Sequence, residues 1–459
     1  MNSLPNEFTS ATEAILGVEM PAFLHALEQV PPVSIRYNSY KFQTETHRDA
    51  VTTANAKKVP WNVRGYYLDA RPSFTDDPLF HAGAYYVQEA SSMFVAHIAR
   101  SVEITDGMRI LDLCAAPGGK ATIYSELAGP QGLVIANEVV GSRAAVLADN
   151  IRKWGLGNTL VTNNDPAHIG NFDSWFDIVA VDAPCSGEGM FRKTPDAVGE
   201  WSPRNVALCA ARQRRIASDI WDALRPGGLL IYSTCTFNRE ENEANVAWIA
   251  ENFDCEDAGI EVPSEWNIAE STAGGIKCFR FWPHRIDGEG FFAAAIRKCG
   301  DTSRTPKTPK PRKTIFTKAS RSETDELNSW VEHPDRMQFM RIGDMFYGYA
   351  GARFSEIRSV AENLNAIYSG VCMGQMFGGR LKPDHSLAMF HELNRHSLNV
   401  AELPLSEALR YLKRQDTDIS VMQEGINLMC YNGYALGWSK RIGNRSNNLY
   451  PKSQMILHK

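Results

Sequence analysis

The sequence predicts an α/β protein centred on a parallel sheet with helices on both faces. From about residue 105, near-continuous apolar runs recur at intervals, and the segments between them carry helical spacing. Strands that are apolar at every position suit a sheet buried on two sides, and alternation with helices suits parallel crossovers. A further observation concerns the strand ends, where several runs stop in small turns that carry glycine, acid or cysteine.

The elements follow in order. "PAFLHALEQV" (21–30) reads as a short helix with Pro21 in its first turn, and "PVSIRYN" (32–38) as a strand. These belong to a small N-terminal α/β unit, residues 1–104. Strands are then expected at "MRILDLC" (108–114), "GLVIANE" (132–138), "NTLVTNN" (158–164), "DIVAVDA" (177–183) and "GLLIYSTC" (228–235). Helices are expected at "GKATIYSELA" (119–128), "RAAVLADNIRKWG" (143–155), "NVALCAARQRRIASDIWDAL" (205–224) and "NREENEANVAWIAENF" (238–253). Asn238 is expected to cap the last of these, with Glu241 three residues on. "FFAAAIRK" (291–298) closes a domain of residues 105–300. Beyond it the rhythm stops. Residues 301–321 read as a basic linker, and 322–390 and 391–459 as two further small units.

Composition excludes several classes. The first thirty residues hold Glu7, Glu13 and Glu19 and no basic start, so no secretory leader is expected. The longest apolar stretches are far too short for a bilayer, which makes a cytoplasmic protein without membrane attachment the expectation. Nine cysteines occur without CxxC pairs, so neither a zinc site nor any other metal is expected, nor a disulfide framework. A net charge of −5 means that nucleic acid would be held by local basic patches. One candidate is "RTPKTPKPRKTIFTKASR" (304–321), with seven Lys or Arg and no acid. Its prolines equally suit a solvated linker. Another runs from Gly425 to the end, again without acid, and includes Lys440, Arg441, Arg445, Lys452 and Lys459.

In open α/β sheets, ligands bind beyond the carboxyl ends of the strands. The first such end is "DLCAAPGGK" (112–120), where Gly118 and Gly119 let the backbone approach a ligand and the following helix offers free amides. GxGxxG and GxxxxGK[ST] are absent, which argues against nicotinamide and P-loop readings. Glu138 ends the second strand, where an acid can hold a ribose, and Asp165 follows the third, where it can accept from an adenine amine. Two acids and a glycine-rich turn suit S-adenosylmethionine, though both acids also read as ordinary polar residues at strand ends.

"VDAPCSG" (181–187) and "IYSTCTF" (231–237) each place one cysteine just past a strand. If these strands are neighbours, about 5 Å apart, Cys185 and Cys235 converge beside the transferable methyl. A single cysteine here would read as core; two, flanked by "DAP" and "ST", point to chemistry. Cytosine C5 is too weak a nucleophile to take a sulfonium methyl, but a thiolate added at C6 turns C5 into an enamine-like carbon. A second group must then assist release. Cys209, Cys255, Cys278, Cys299, Cys372 and Cys430 read as structural, and Cys114 as packing under the cofactor.

"DLCAAPGGK", "VDAPCSGEGMFRKTPD" and "YSTCTFNREENE", with "HAGAYYVQEASSM" (81–93) and "RFWPHRIDGEGFF" (280–292), resemble the signature blocks of the Nop/Sun RNA cytosine-5 methyltransferases. The layout is most similar to bacterial members that act on small-subunit ribosomal RNA. The resemblance implies a Rossmann-like class I methyltransferase sheet over 105–300, an RNA-binding accessory unit over 1–104, a pre-PUA region over 322–390 and a PUA-like RNA-binding domain over 391–459. It implies Cys235 as nucleophile, Cys185 assisting product release and Asp182 near N3 of the base. Cofactor contacts fall on Cys114, Ala115, Ala116, Pro117, Gly118, Gly119, Lys120, Glu138, Asp165 and Asp182. The implied substrate is a 16S rRNA cytosine, position 1407, within the small ribosomal subunit, and the enzyme is expected to be a monomer. Two alternatives are a tRNA cytosine-5 methyltransferase and a non-catalytic ribosome assembly factor; the C-terminal extension favours rRNA over the first, and the presence of both cysteines argues against the second.

Overall fold

The computed structural model describes residues 4–41, 56–102 and 107–457. Its first unit opens with the helices Asn6–Leu16 and Met20–Glu28, adds the shorter helices Pro78–His81 and Val95–Ser101, and has a sheet ordered β2-β1-β3 from β1 (Val33–Tyr37), β2 (Gly65–Leu68) and β3 (Tyr85–Val87). The second helix matches the expected one within two residues at each end. The first helix has no counterpart in the sequence reading.

The central sheet takes its parallel strands from β4 (Arg109–Asp112), β5 (Leu133–Asn137), β6 (Thr159–Thr162), β7 (Phe176–Asp182) and β8 (Leu224–Thr234). Three short strands follow, β9 (Cys255–Asp257), β10 (Ala269–Ala273) and β11 (Ile276–Phe281), and then β12 (Phe291–Lys298). The order is β10-β11-β12-β8-β7-β4-β5-β6, with β9 beside β12. The chain moves outward from β4 through β5 to β6 and then returns to β7, so the topology switches between β4 and β7, where a crevice opens at the strands' carboxyl ends. Between them, β5, β4 and β7 carry Leu133, Ile135, Leu111 and Val179 on one face and Val134, Ile110, Ile178 and Ala180 on the other, all buried. This explains the near-continuous apolar runs.

Three expectations are corrected. The helix expected to reach residue 224 ends at Ile220, because Trp221 and Ala223 turn into the core and Leu224 already begins β8. The helix expected from 238 begins at Glu243, and its cap position falls to Asn242. The strand expected over 228–235 starts earlier, as β8 from Leu224, and β12 lies between β8 and β11, antiparallel to both.

The C-terminal half carries β13 (Thr317–Lys318), β14 (Met337–Ile342), β15 (Met345–Ala350), β16 (Ala366–Tyr368), β17 (Val371–Phe377) and β18 (Arg380–Pro383). All but β16 form a sheet ordered β13-β14-β15-β17-β18. Strand β16 instead pairs antiparallel with β6 and caps the central sheet. The helix Phe354–Asn363 buries Ile357, Val360 and Ala361 in the same core as Leu160 and Val179. A final sheet, β19-β20-β21-β22, comes from β19 (Asn399–Glu402), β20 (Gly425–Tyr431), β21 (Tyr434–Ile442) and β22 (Arg445–Asn448). Ala401 and Leu436 of this sheet, with Tyr411 of the helix Leu405–Leu412, share a core with Ile35, Tyr37 and Tyr85 of the first unit. No helix among the described residues is long and apolar enough to cross a membrane.

Candidate active site

The turn after β4 is held from several directions. Ala115 N–H donates to the Asn137 carbonyl (2.8 Å), and the Asn137 amide donates to the Leu113 and Asn164 carbonyls, which ties together the ends of β4, β5 and β6. Arg143 donates to the Ala116 carbonyl and Asn150 to the Pro117 carbonyl. Gly118 adopts φ +119°, a conformation that L side chains rarely take, and the helix Gly119–Ala128 begins directly behind it. From β1, the buried Arg36 donates to the Gly119 carbonyl.

Strands β7 and β8 are parallel neighbours with Asp182 opposite Ser233. That register carries the two cysteines to one point, with sulfurs 3.2 Å apart. Beneath them lie two buried carboxylates. Glu188 accepts from the Trp201 indole (2.9 Å), from Phe237 and Asn238 N–H (2.6 and 2.9 Å) and from the Asn238 amide (3.0 Å). Glu241 accepts from Ser186 N–H (3.0 Å), the Gln213 amide (2.8 Å) and the Asn238 amide (2.8 Å). Each carboxylate bonds groups on both cysteine-bearing loops or on the helices behind them, so the loops are fixed relative to one another. Burial pushes the Glu241 carboxyl above its usual range, against these hydrogen bonds. The Asn238-to-Glu241 spacing is thus spent on a turn below the cysteines, with Glu241 N–H donating to Asn238 Oδ1 (2.9 Å).

A cavity of about 470 Å³ opens at the switch point. Cys114, Ala115, Ala116, Pro117, Gly119 and Lys120 form one wall, with Asp182 and Cys235 facing it. Lys120 Nζ lies 2.9 Å from Asp182 Oδ2, and Ser233 Oγ donates to Asp182 Oδ1 (2.9 Å). Burial works against charge on Lys120, but Asp182 outweighs it and raises the ammonium's pKa, with lesser upward contributions from Asp112 and Cys235. Burial raises the Cys114 thiol. The Cys185 thiol is raised well above the ordinary range, first by its hydrogen bond with Cys235 and then by burial. Asp112 is 1% exposed, both its carboxyl oxygens lack a hydrogen-bond partner among the described residues, and burial lifts it to about 8.

Of the residues singled out from sequence, Cys185, Cys235, Asp182 and the 114–120 turn come together. Glu138 and Asp165 stand at the ends of β5 and β6 but do not line this cavity. Glu138 is 3% exposed, accepts from Val140 N–H (2.9 Å) and lies 3.5 Å from Arg143. Asp165 is half-exposed, accepts from Ala167 N–H (3.1 Å) and lies 3.8 Å from Arg215. Sequence reasoning missed the opposite wall, Tyr86 to Glu89 with Ser92, supplied by the N-terminal unit. It also missed Met190, Lys193 and Phe291 on the cavity and the roles of Glu188 and Glu241 below it. All lie inside the quoted blocks, but nothing in their spacing marks them. Among the described residues, no cluster of three or more His, Cys, Asp or Glu is arranged to hold a metal.

The cavity fits S-adenosylmethionine in its donor set. The buried Asp112 carboxyl, unpartnered among the described residues, lies behind the 114–120 turn, and Gly119 stands so near the Gln88 side chain that an added Cβ would meet it at 3.3 Å.

Comparison with known proteins agrees with this geometry. Residues 99–297 match the family model described as 16S rRNA methyltransferase RsmB/F. Residues 4–90 match the N-terminal domain of 16S rRNA methyltransferase RsmF, and 398–455 the methyltransferase RsmF PUA domain. The ribosomal RNA small subunit methyltransferase F of Vibrio atlanticus is 30% identical, over 98% of this chain and 97% of its own. That of Shewanella piezotolerans is 30% identical over 91% and 90%. Among solved structures, a methyltransferase homolog from Pyrococcus horikoshii is 29% identical with a TM-score of 0.54, covering 64% of this chain and 95% of its own. NSun6 from the same organism, solved with SFG, shares the fold at 22% identity and a TM-score of 0.54, over 65% and 99%. The chain belongs to the 16S rRNA methyltransferase RsmB/F family, and its full-length relatives are the small subunit methyltransferases F.

Proposed function

We propose that this enzyme methylates C5 of cytosine 1407 in 16S rRNA through a covalent bond between Cys235 and C6, and that it acts as a monomer in the cytoplasm on RNA of the small ribosomal subunit. The observation that carries the assignment of roles is that Cys235 lines the cavity, while Cys185 does not and stands 3.2 Å from it.

The 114–120 turn, with Glu138 and Asp165 at the adjoining strand ends outside the cavity, would hold S-adenosylmethionine, which would supply an electrophilic methyl on a cationic sulfur. Lys120 and Asp182 form an ion pair in the wall, and a proton passed from the Lys120 ammonium through Asp182 reaches N3 of the cytosine as charge develops there, Asp182 then being the donor. Lys120 lines the same cavity as Cys235, whose thiolate form is the nucleophile. The Cys235 thiolate adds at C6, and C5 takes the methyl. Solvent water entering the cavity takes the C5 proton, and the electron pair of that bond restores the C5–C6 double bond as Cys235 leaves as thiolate. Cys185 keeps its proton and donates a hydrogen bond to the departing sulfur, which is how its raised pKa assists release.

Bisulfite sequencing of 16S rRNA from a deletion strain tests this reading. The mark at cytosine 1407 is expected to vanish, to return with the wild-type gene and to stay absent with Cys235→Ala. Persistence of the mark, or its loss from a tRNA instead, would overturn the assignment.

A further inference from the structure

A second recess, of about 420 Å³, adjoins the catalytic cavity and shares Val87, Gln88, Glu89 and Lys193 with it. Its other walls come from residues 30–34 and from Arg71. If the cavity takes the target cytosine, as proposed above, that base is still one residue of a strand. Its neighbour must leave along a surface continuous with the cavity.

The chemistry of the recess suits a nucleotide. Of its charged groups, Glu89 is occupied by Ser91 and Ser92 N–H (2.9 and 2.8 Å). Arg192 is occupied by Glu289 and by the Ala26 and Gly288 carbonyls. Two cations remain. Lys193 is exposed, with Nζ 3.7 Å from Glu289. Arg71 is exposed, and among the described residues it meets only the ring of Phe74, at 5.5 Å. Val30, 88% exposed, and the adjoining Pro31 and Pro32 offer an apolar face. A cationic groove that tracks the phosphates is one part of single-stranded RNA binding, and here an apolar rather than an aromatic face stands beside it.

We propose that this recess holds the nucleotide flanking the target cytosine, its base or sugar against residues 30–32 and its phosphate drawn to Arg71 and Lys193. The N-terminal unit is then a wall of the RNA path as well as of the cofactor cavity.

The test uses the full chain with free 16S rRNA and with small subunits as substrates, comparing Arg71→Ala, Arg71→Glu and Arg71→Lys. Arg71 is exposed, so all three variants should fold. Arg71→Ala is expected to raise KM for RNA about 5–20-fold and Arg71→Glu further, with kcat and cofactor affinity unchanged. The slope of log affinity against log salt should fall by about 1 in Arg71→Ala, and Arg71→Lys should restore most of the affinity. Wild-type KM and salt slope in Arg71→Glu, with an active wild type, would overturn the recess alone. A wild type that methylates no RNA cytosine would overturn the reading of the cavity and the recess together.

Discussion

The Cys185 sulfur stands 3.2 Å behind the Cys235 sulfur, and only the latter faces the cavity. This asymmetry predicts different outcomes for the two alanine variants. Cys235→Ala should abolish methylation and form no RNA adduct. Cys185→Ala should still add and transfer, but release slowly, and so accumulate an S-adenosylmethionine-dependent adduct that survives denaturing electrophoresis. The mirror pattern would make Cys185 the nucleophile.

The Glu241 carboxylate fixes the Cys185 loop through Ser186 N–H, 3.0 Å away. Glu241→Ala leaves that amide and the Gln213 and Asn238 amides without their acceptor, so stability should fall by about 2–4 kcal/mol. Glu241→Gln should fold, lower kcat about tenfold and leave cofactor affinity unchanged. Chemical denaturation together with steady-state kinetics would check both, and wild-type kcat in Glu241→Gln would remove the positioning role.

Glu138 is proposed to hold the ribose and Asp165 the adenine. Removal of a charged hydrogen bond should weaken S-adenosylmethionine binding to Glu138→Ala by about 1–3 kcal/mol, with a comparable loss for Asp165→Ala. Calorimetry that returned wild-type affinity for both variants would exclude this placement.

Asp112 predicts a pH dependence of the cofactor-free protein. Its carboxyl titrates near 3.8 when unfolded and at about 8 when folded, so the native state binds the extra proton between those values. Stability should therefore decline as pH rises from about 4 to 8 and then level off. Asp112→Asn should flatten this profile, with a difference at pH 8 of up to about 5 kcal/mol from a shift of this size. Urea midpoints measured across that range would show it; parallel profiles for the two proteins would exclude it.

The central sheet was legible because strands buried on both faces leave apolar runs that helices interrupt. The meeting of Cys185 and Cys235 was expected only if their strands are neighbours, an order that the rhythm does not give; β7 and β8 are neighbours in register. Strand β16 left no signal: three residues are too few to show a period, and its partner lies far away in sequence. The wall from Tyr86 to Glu89 was hidden for the same reason, because β3 is equally short. Glu188 carried no signal of its own, and Glu241 read only as the partner of an Asn238 helix cap. Only the tertiary structure supplies the donors that make their burial tolerable.

The capping of β6 by β16 bears on how the enzyme is made. Thr162 leaves the ribosome about 200 residues before Tyr368, which at roughly 5–20 residues per second is a delay on the order of 10–40 s. Throughout that interval the nascent catalytic domain carries an open strand edge, the kind of surface on which chains pair wrongly with one another. Expression at lower temperature lengthens the interval, whereas lower mRNA abundance thins out the neighbours available for mispairing. The yield of soluble enzyme should therefore respond more to the density of nascent chains than to the speed at which each is made.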